Sequence, residues 1–195
     1  MLVIVHSRIR CAVNMFAHAI PVLLILAPAI AAQGPPSHFE VTGCTMECCG
    51  YGTWRAKTRT IAFVQRDTAS AKAFVIEPND SVVAVSGIVA MQQPGVATAP
   101  SNRAKRVNSY PKLGAERTIM VPAGDTVYTL FESAEATDAI IWYRGSLYWS
   151  APDDGGFTSL STVRARWWVS VRNARPEVGW VRDPWPGFDG PGECR

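Results

Sequence analysis

Beyond residue 31, the side chains best equipped for chemistry are four cysteines, one histidine, a few paired carboxylates and a set of tryptophans and tyrosines. The cluster Cys44-x-x-x-Cys48-Cys49 could exchange disulfides or hold a metal, but zinc takes Cys or His in two pairs and no second pair exists. His38 is the single histidine past the first 31 residues, which removes Ser-His-Asp, Cys-His and histidine-metal chemistry. Carboxylate catalysis needs two acids facing each other across a cleft. Glu132, Glu135, Asp153 and Asp154 are the visible candidates, yet Asp153-Asp154-Gly155-Gly156 follows Pro152 and reads as a solvated turn. No spacing builds a cleft around these acids, so the expectation is a protein that is not an enzyme and uses no cofactor or metal.

Flat aromatic faces are the richer resource: Trp142, Tyr143, Tyr148, Trp149, Trp168, Trp180 and Trp185. Such rings stack on sugars or pack on proline, although most of them must fill the core. Arg103, Lys105, Arg106 and Lys112 could meet acidic lipid, wall polymer or a partner. Without interleaved aromatics or a period, that basic segment reads as a solvated loop.

The compartment follows from the first residues. Arg8 and Arg10 precede an apolar run from Ile20 to Ile30, and the run ends in Ala29-Ile30-Ala31-Ala32. Charge, apolar core and small-residue exit are what signal peptidase requires, so residues 1–31 are expected to be a signal peptide, cleaved after Ala31 or Ala32. Met15 to Ala32 would also serve as a short signal. Asn14, His18 and Pro21 interrupt the ~18–20 clean apolar residues of a spanning helix, so no stable membrane span is expected after cleavage. The loss of Arg8 and Arg10 lowers the formal charge from +3 to +1, which leaves no case for a nucleic-acid partner. Cys11 leaves as well, and Cys44, Cys48, Cys49 and Cys194 are then an even set in an oxidising compartment, where two disulfides are expected. Four cysteines allow three pairings. A bond between the neighbours Cys48 and Cys49 would close a strained small ring, so each should take another partner, with Cys194 tying the tail to the N-terminal cluster.

These groups must be positioned by strands. No long helical period occurs; short alternating or β-branched runs bounded by Gly, Pro, Asn and Asp recur at Thr60 to Gln65, Ala73 to Ile76, Ser81 to Val89, Thr118 to Val121, Thr126 to Phe131, Ile140 to Tyr143, Leu147 to Ser150, Trp167 to Arg172 and Gly179 to Val181. The pattern is all-β. Gly145 reverses a tight hairpin within Trp142 to Trp149. The chain then divides into a Pro-containing lead-in with the cysteine cluster (32–50), a first β segment (51–90), a long loop or linker (91–117), a second β segment (118–183) and a tail (184–195). An internal echo joins the two β segments. Pro78-Asn79-Asp80-Ser81-Val82-Val83 is similar to Pro122-Ala123-Gly124-Asp125-Thr126-Val127-Tyr128 with one residue inserted, as two related small barrels would produce.

Trp168-Val169-Ser170-Val171-Arg172-Asn173, a turn, and Val178-Gly179-Trp180-Val181 resemble the close of a bacterial Src-homology-3-like domain, and Pro122 to Val127 resembles its Gly-Asp turn. The resemblance implies one or two small barrels, in tandem or one with a β insertion, covering most of Trp54 to Val181. Alternation along the last long strand puts Trp167, Val169 and Val171 in the core and Trp168 at a half-exposed rim, where the family's binding surfaces use an aromatic. The expected ligand-contacting residues are therefore Trp168, Trp180, Trp185 and Tyr143. The implied function is a non-catalytic binding or scaffold protein of the bacterial cell envelope, periplasmic or extracellular, recognising peptidoglycan peptide or an envelope protein. A secreted carboxylate-dependent hydrolase and a purely structural module are the alternatives.

Overall fold

A computed structural model of the chain describes residues 34–44, 50–112, 114–133, 138–151 and 156–190. All of its regular elements are strands. In chain order they are β1 (Glu40–Thr42), β2 (Gly52–Ala56), β3 (Thr60–Phe63), β4 (Lys72–Ile76), β5 (Ser81–Gln93), β6 (Gly95–Thr98), β7 (Arg103–Ser109), β8 (Arg117–Val121), β9 (Thr126–Glu132), β10 (Ala139–Tyr143), β11 (Ser146–Ser150), β12 (Thr158–Ser161), β13 (Arg164–Arg172), β14 (Val178–Arg182) and β15 (Phe188–Asp189). No helix among the described residues is long and apolar enough to cross a membrane.

The strands form two antiparallel sheets. The first, a curled half-barrel, has the order β15-β2-β5-β13-β14-β3-β4, with β1 added to β5. The second has the order β12-β6-β9-β10-β11-β7-β8. The 13-residue β5 is the hub of the first sheet: its opening half pairs with β2, its closing half with β1, and its other edge with β13 along nearly its whole length. The chain leaves β5 at Gln93, builds the entire second sheet, and returns at Arg164, the register partner of Gln93. The second sheet is therefore inserted between two neighbouring strands of the first.

Residues 91–117, expected to be a loop, instead carry the end of β5, all of β6 and β7, and the first residue of β8. Pro94, Pro100 and Pro111 stand between strands, where a missing N–H breaks no ladder. The basic residues hid β7 because only every second one faces water: Ala104 and Arg106 are exposed, while Lys105 and Val107 are buried. Segment 118–183 is likewise shared between sheets, with β8 to β12 in the second and β13 and β14 in the first.

The two sheets repeat one topology. Strands β2-β5-β13-β14-β3-β4 correspond in order to β6-β9-β10-β11-β7-β8, and each set carries one more strand outside its first member, β15 or β12. The register agrees in detail. Gly52 faces Ala84 as Gly95 faces Thr129, and Trp54 faces Val82 as Ala97 faces Val127. A register shift follows Ser170 in β13 and Ile140 in β10, each skipping one residue of the partner strand. The turns that echo in sequence are the same turn in space, with a positive φ of 74° at Asn79 and 85° at Gly124 and an N–H donated three residues back by Asp80 (3.0 Å) and Asp125 (3.1 Å). Each turn is sewn to a buried alanine. Asn79 N–H donates to the Ala56 carbonyl (2.8 Å) and Ala56 N–H to that of Asp80 (2.9 Å); Gly124 and Ala99 (2.8 Å) and Ala99 and Asp125 (3.0 Å) repeat the exchange.

Trp54, Trp167, Val169, Val171 and Phe188 fill the first core, joined by Phe131 and Ile140 from one face of the second sheet. The opposite face of that sheet packs Val107, Val121, Val127, Ile141 and Tyr143 around a core of its own. The hairpin expected at Gly145 is present, closed by Arg144 and Gly145 with φ of 45° and 82°, the two left-handed residues of a tight turn.

Candidate ligand-binding site

One face of the second sheet lines a cavity of about 190 Å³. Val127, Ile141, Val163 and Phe157 supply apolar walls, Thr129, Ser159, Ser161 and Thr162 bring hydroxyls, and Ala97 forms the floor on β6. An apolar hollow with a few converging polar groups is the usual make-up of a small-molecule site, although this one is smaller than the ~300–1,000 Å³ of drug-sized pockets.

Lys105 sets the electrostatics. Strand alternation turns its side chain inward, where the residue is only 5% exposed and lines the cavity. Its Nζ donates one long hydrogen bond to the Ala151 carbonyl (3.4 Å) and lies 5.5 Å from the Phe157 ring centroid. It forms no ion pair with any described residue. An ammonium has three N–H donors, and burying it costs several kcal/mol unless it is paired. A cation–π contact of up to ~2 kcal/mol offsets only part of that. Arg103, two residues back on the same face of β7, has a buried Nε with no hydrogen-bond partner among the described residues. It lies close against Gly156, where an added Cβ would come within 3.1 Å of Nε. Glu132, at the end of β9, also lines the cavity, but its side chain is exposed.

The four residues expected to contact ligand are not brought together. Trp168 is 5% exposed rather than at a rim, because β13 is an inner strand with both faces covered, and the Phe63 ring meets Trp168 edge-on at 6.4 Å. Tyr143 is buried in the second sheet, and its hydroxyl donates to Asp125 Oδ2 (2.6 Å), which also pairs with Arg144 (2.8 Å). Burial, and then Asp125, push the Tyr143 phenol up to about 12. Trp180 is half-buried on the first sheet under the Arg66 guanidinium (5.6 Å). Trp185, 56% exposed beneath Lys57 (5.8 Å), is the one large open aromatic face of the four.

Cys44 is engaged and packs against the first core. Cys48, Cys49 and Cys194 lie outside the described residues, as do Glu135, Asp153 and Asp154. Among the described residues no group of His, Cys, Asp and Glu is placed to hold a metal. The chain matches no known family, no curated protein and no solved structure.

Sequence reasoning passed over Lys105 by reading its segment as solvated. Two signals pointed the other way: the period-two alternation of Lys105 with Val107, and the spacing Gly52-x-x-x-Ala56, which returns as Gly95-x-x-x-Ala99 and extends the internal echo into the presumed loop.

Proposed function

We propose that the protein is a non-catalytic binding module of the bacterial cell envelope and that its ligand enters the cavity of the second sheet. One observation carries this reading. Ala97 occupies the register position of Trp54, so the space filled by an indole in one copy of the topology is left open in the other. A large aromatic contributes 150–250 Å² of buried surface, and a fold that keeps it at one site and omits it at the equivalent one forgoes several kcal/mol of packing. A void kept at that cost is more economically explained by an occupant than by indifference.

On the same reading, the curled first sheet is the Src-homology-3-like element suggested by Trp168 to Val181, and the second sheet is its insertion. The signal peptide of residues 1–31 delivers the chain outside the cytoplasm, and the cysteines clasp the tail to the N-terminal segment. Peptidoglycan peptide or an envelope protein supplies the occupant.

The test copies the filled sheet into the open one. Gly190, at the place equivalent to Ser159, makes room for the indole of Trp54, for a Cβ there would lie 2.6 Å from Cδ1. The double variant Ala97→Trp with Ser159→Gly should therefore fold and lose binding to purified sacculi or to an envelope protein recovered by crosslinking. Undiminished binding by the filled variant would remove the cavity from the function. Nonreducing peptide mapping should link Cys194 to Cys44, Cys48 or Cys49; a free Cys194 thiol would dispose of the clasp.

A further inference from the structure

We infer that the cavity recognises a single carboxylate carried on a small apolar body; this rests on the binding reading above and names the chemistry of its ligand. The two copies of the topology differ at a second place. Lys105 faces Ile119 across β7 and β8 as Ala62 faces Phe74 across β3 and β4, and the turns that follow β4 and β8 align Phe74 with Ile119. Counted from these turns, the position is apolar and fully buried in the first sheet and cationic in the second. The two substitutions act on one space: Ala97 empties it, and Lys105 points a charge into it.

Among the described residues the charge has no ion-pair partner. With one carbonyl at 3.4 Å and one ring at 5.5 Å as its described contacts, the ammonium retains donor capacity on the cavity side. Arg103, on the same face of the strand, is not part of the cavity lining, so Lys105 supplies the positive charge there. A carboxylate would satisfy the ammonium with charge-assisted hydrogen bonds, which are roughly twice as strong as neutral ones. Val127, Ile141 and Phe157 would take an alkyl or other small apolar body, and the volume of about 190 Å³ limits its size. Glu132 fixes the charge count: its exposed carboxylate on the cavity lining repels a second negative group, which disfavours dicarboxylates and phosphates.

The same chemistry is offered by a free short-chain acid and by the C-terminus of a peptide with small side chains. Two probe pairs separate these sources: hexanoate against 1-hexanol, and N-acetyl-D-alanyl-D-alanine against its carboxamide, each titrated into the purified exported chain by NMR. In at least one pair the acid should bind tenfold or more tightly than its neutral partner, and Lys105→Met should abolish that preference while leaving the neutral compound's affinity within about threefold. The pair that responds names the source. Equal binding of acid and neutral partner in both pairs, or a preference that survives in Lys105→Met, overturns the carboxylate while leaving a binding cavity intact. Absence of any binding, together with sacculus binding that the filled Ala97→Trp, Ser159→Gly variant retains, overturns both. Should Lys105→Met fail to fold, the acid-to-neutral ratios of the unmodified chain decide the matter.

Discussion

The first and second sheets share strand order, turn, bulge and closing strand, and differ in what they close around. The first packs Trp54 against Trp167 (6.1 Å) and Phe188 (5.9 Å). The second, with Ala97 in place of Trp54 and Phe157 in place of Phe188, surrounds a lysine and a hollow. The shared features are backbone devices: the buried Ala56 and Ala99, and the turns that end at Asp80 and Asp125. The contents differ through side chains that line the two interiors, Trp54 against Ala97 and Phe188 against Phe157. Topology in this chain thus tolerates opposite core contents, which is the freedom a binding site needs.

The comparison is broken most severely at Trp54. Trp54→Ala should hollow the first sheet as the second already is and cost about 3–5 kcal/mol in denaturant unfolding, because the rings around it cannot collapse into the space. A loss below about 1 kcal/mol would show that the indole is not what fills that core.

A tight contact present in only one copy comes next. Gly87 meets the Gly43 carbonyl (2.5 Å), the Tyr51 hydroxyl (2.5 Å) and Trp167 Nε1 (2.6 Å) at the position of an added Cβ, whereas its counterpart in the second sheet is the exposed Glu132. Gly87→Ala should cost about 1–3 kcal/mol through overpacking. Glu132→Ala should stay within about 0.5 kcal/mol, and equal losses at the two sites would deny the asymmetry.

Lys105→Met sharpens the contrast in the other direction. Removing a buried charge that has no ion-pair partner among the described residues should raise stability by about 1 kcal/mol in the unliganded protein; a loss of stability would mean that the ammonium has a structural partner.

The smallest effect is a pH dependence carried by Tyr143. Its folded phenol is raised from 10.0 to about 12, first by burial and then by Asp125, so the native state holds its proton longer than the unfolded chain. The associated stability is full below pH 10 and is lost as pH rises towards about 12. Alkaline unfolding of Tyr143→Phe should lack this share. Asp80, the counterpart of Asp125, spends its carboxylate on the Glu77 N–H (2.9 Å) instead, and an Asp80→Asn variant should titrate in that range like the unmodified protein.

The all-β class and the strands from Thr60 to Val181 that alternate or run β-branched were legible, since period two survives where one face is wet. Residues β6, β7 and β12 contribute were not: Gly95–Thr98 and Thr158–Ser161 are short and weakly apolar, and the lysine and arginines of Arg103–Ser109 imitate a solvated loop. The echo at Pro78 and Pro122 was legible because turn chemistry is local. The insertion was not, because the β5 and β13 pairing joins residues distant in sequence and leaves no local mark. Trp168 was misjudged because alternation tells the two faces of a strand apart but does not say whether a neighbour such as Phe63 covers the second.

The pairing of Gln93 with Arg164 has a kinetic consequence. Zipping two strands so far apart along a chain is slow if everything between them is random coil, since the entropy of closing the loop must be met before any contact forms. Once the second sheet has folded, its entrance and exit stand side by side, and β5 and β13 meet as the arms of a hairpin whose turn happens to be a domain. The second sheet is then also the nucleus on which the rest of the molecule waits.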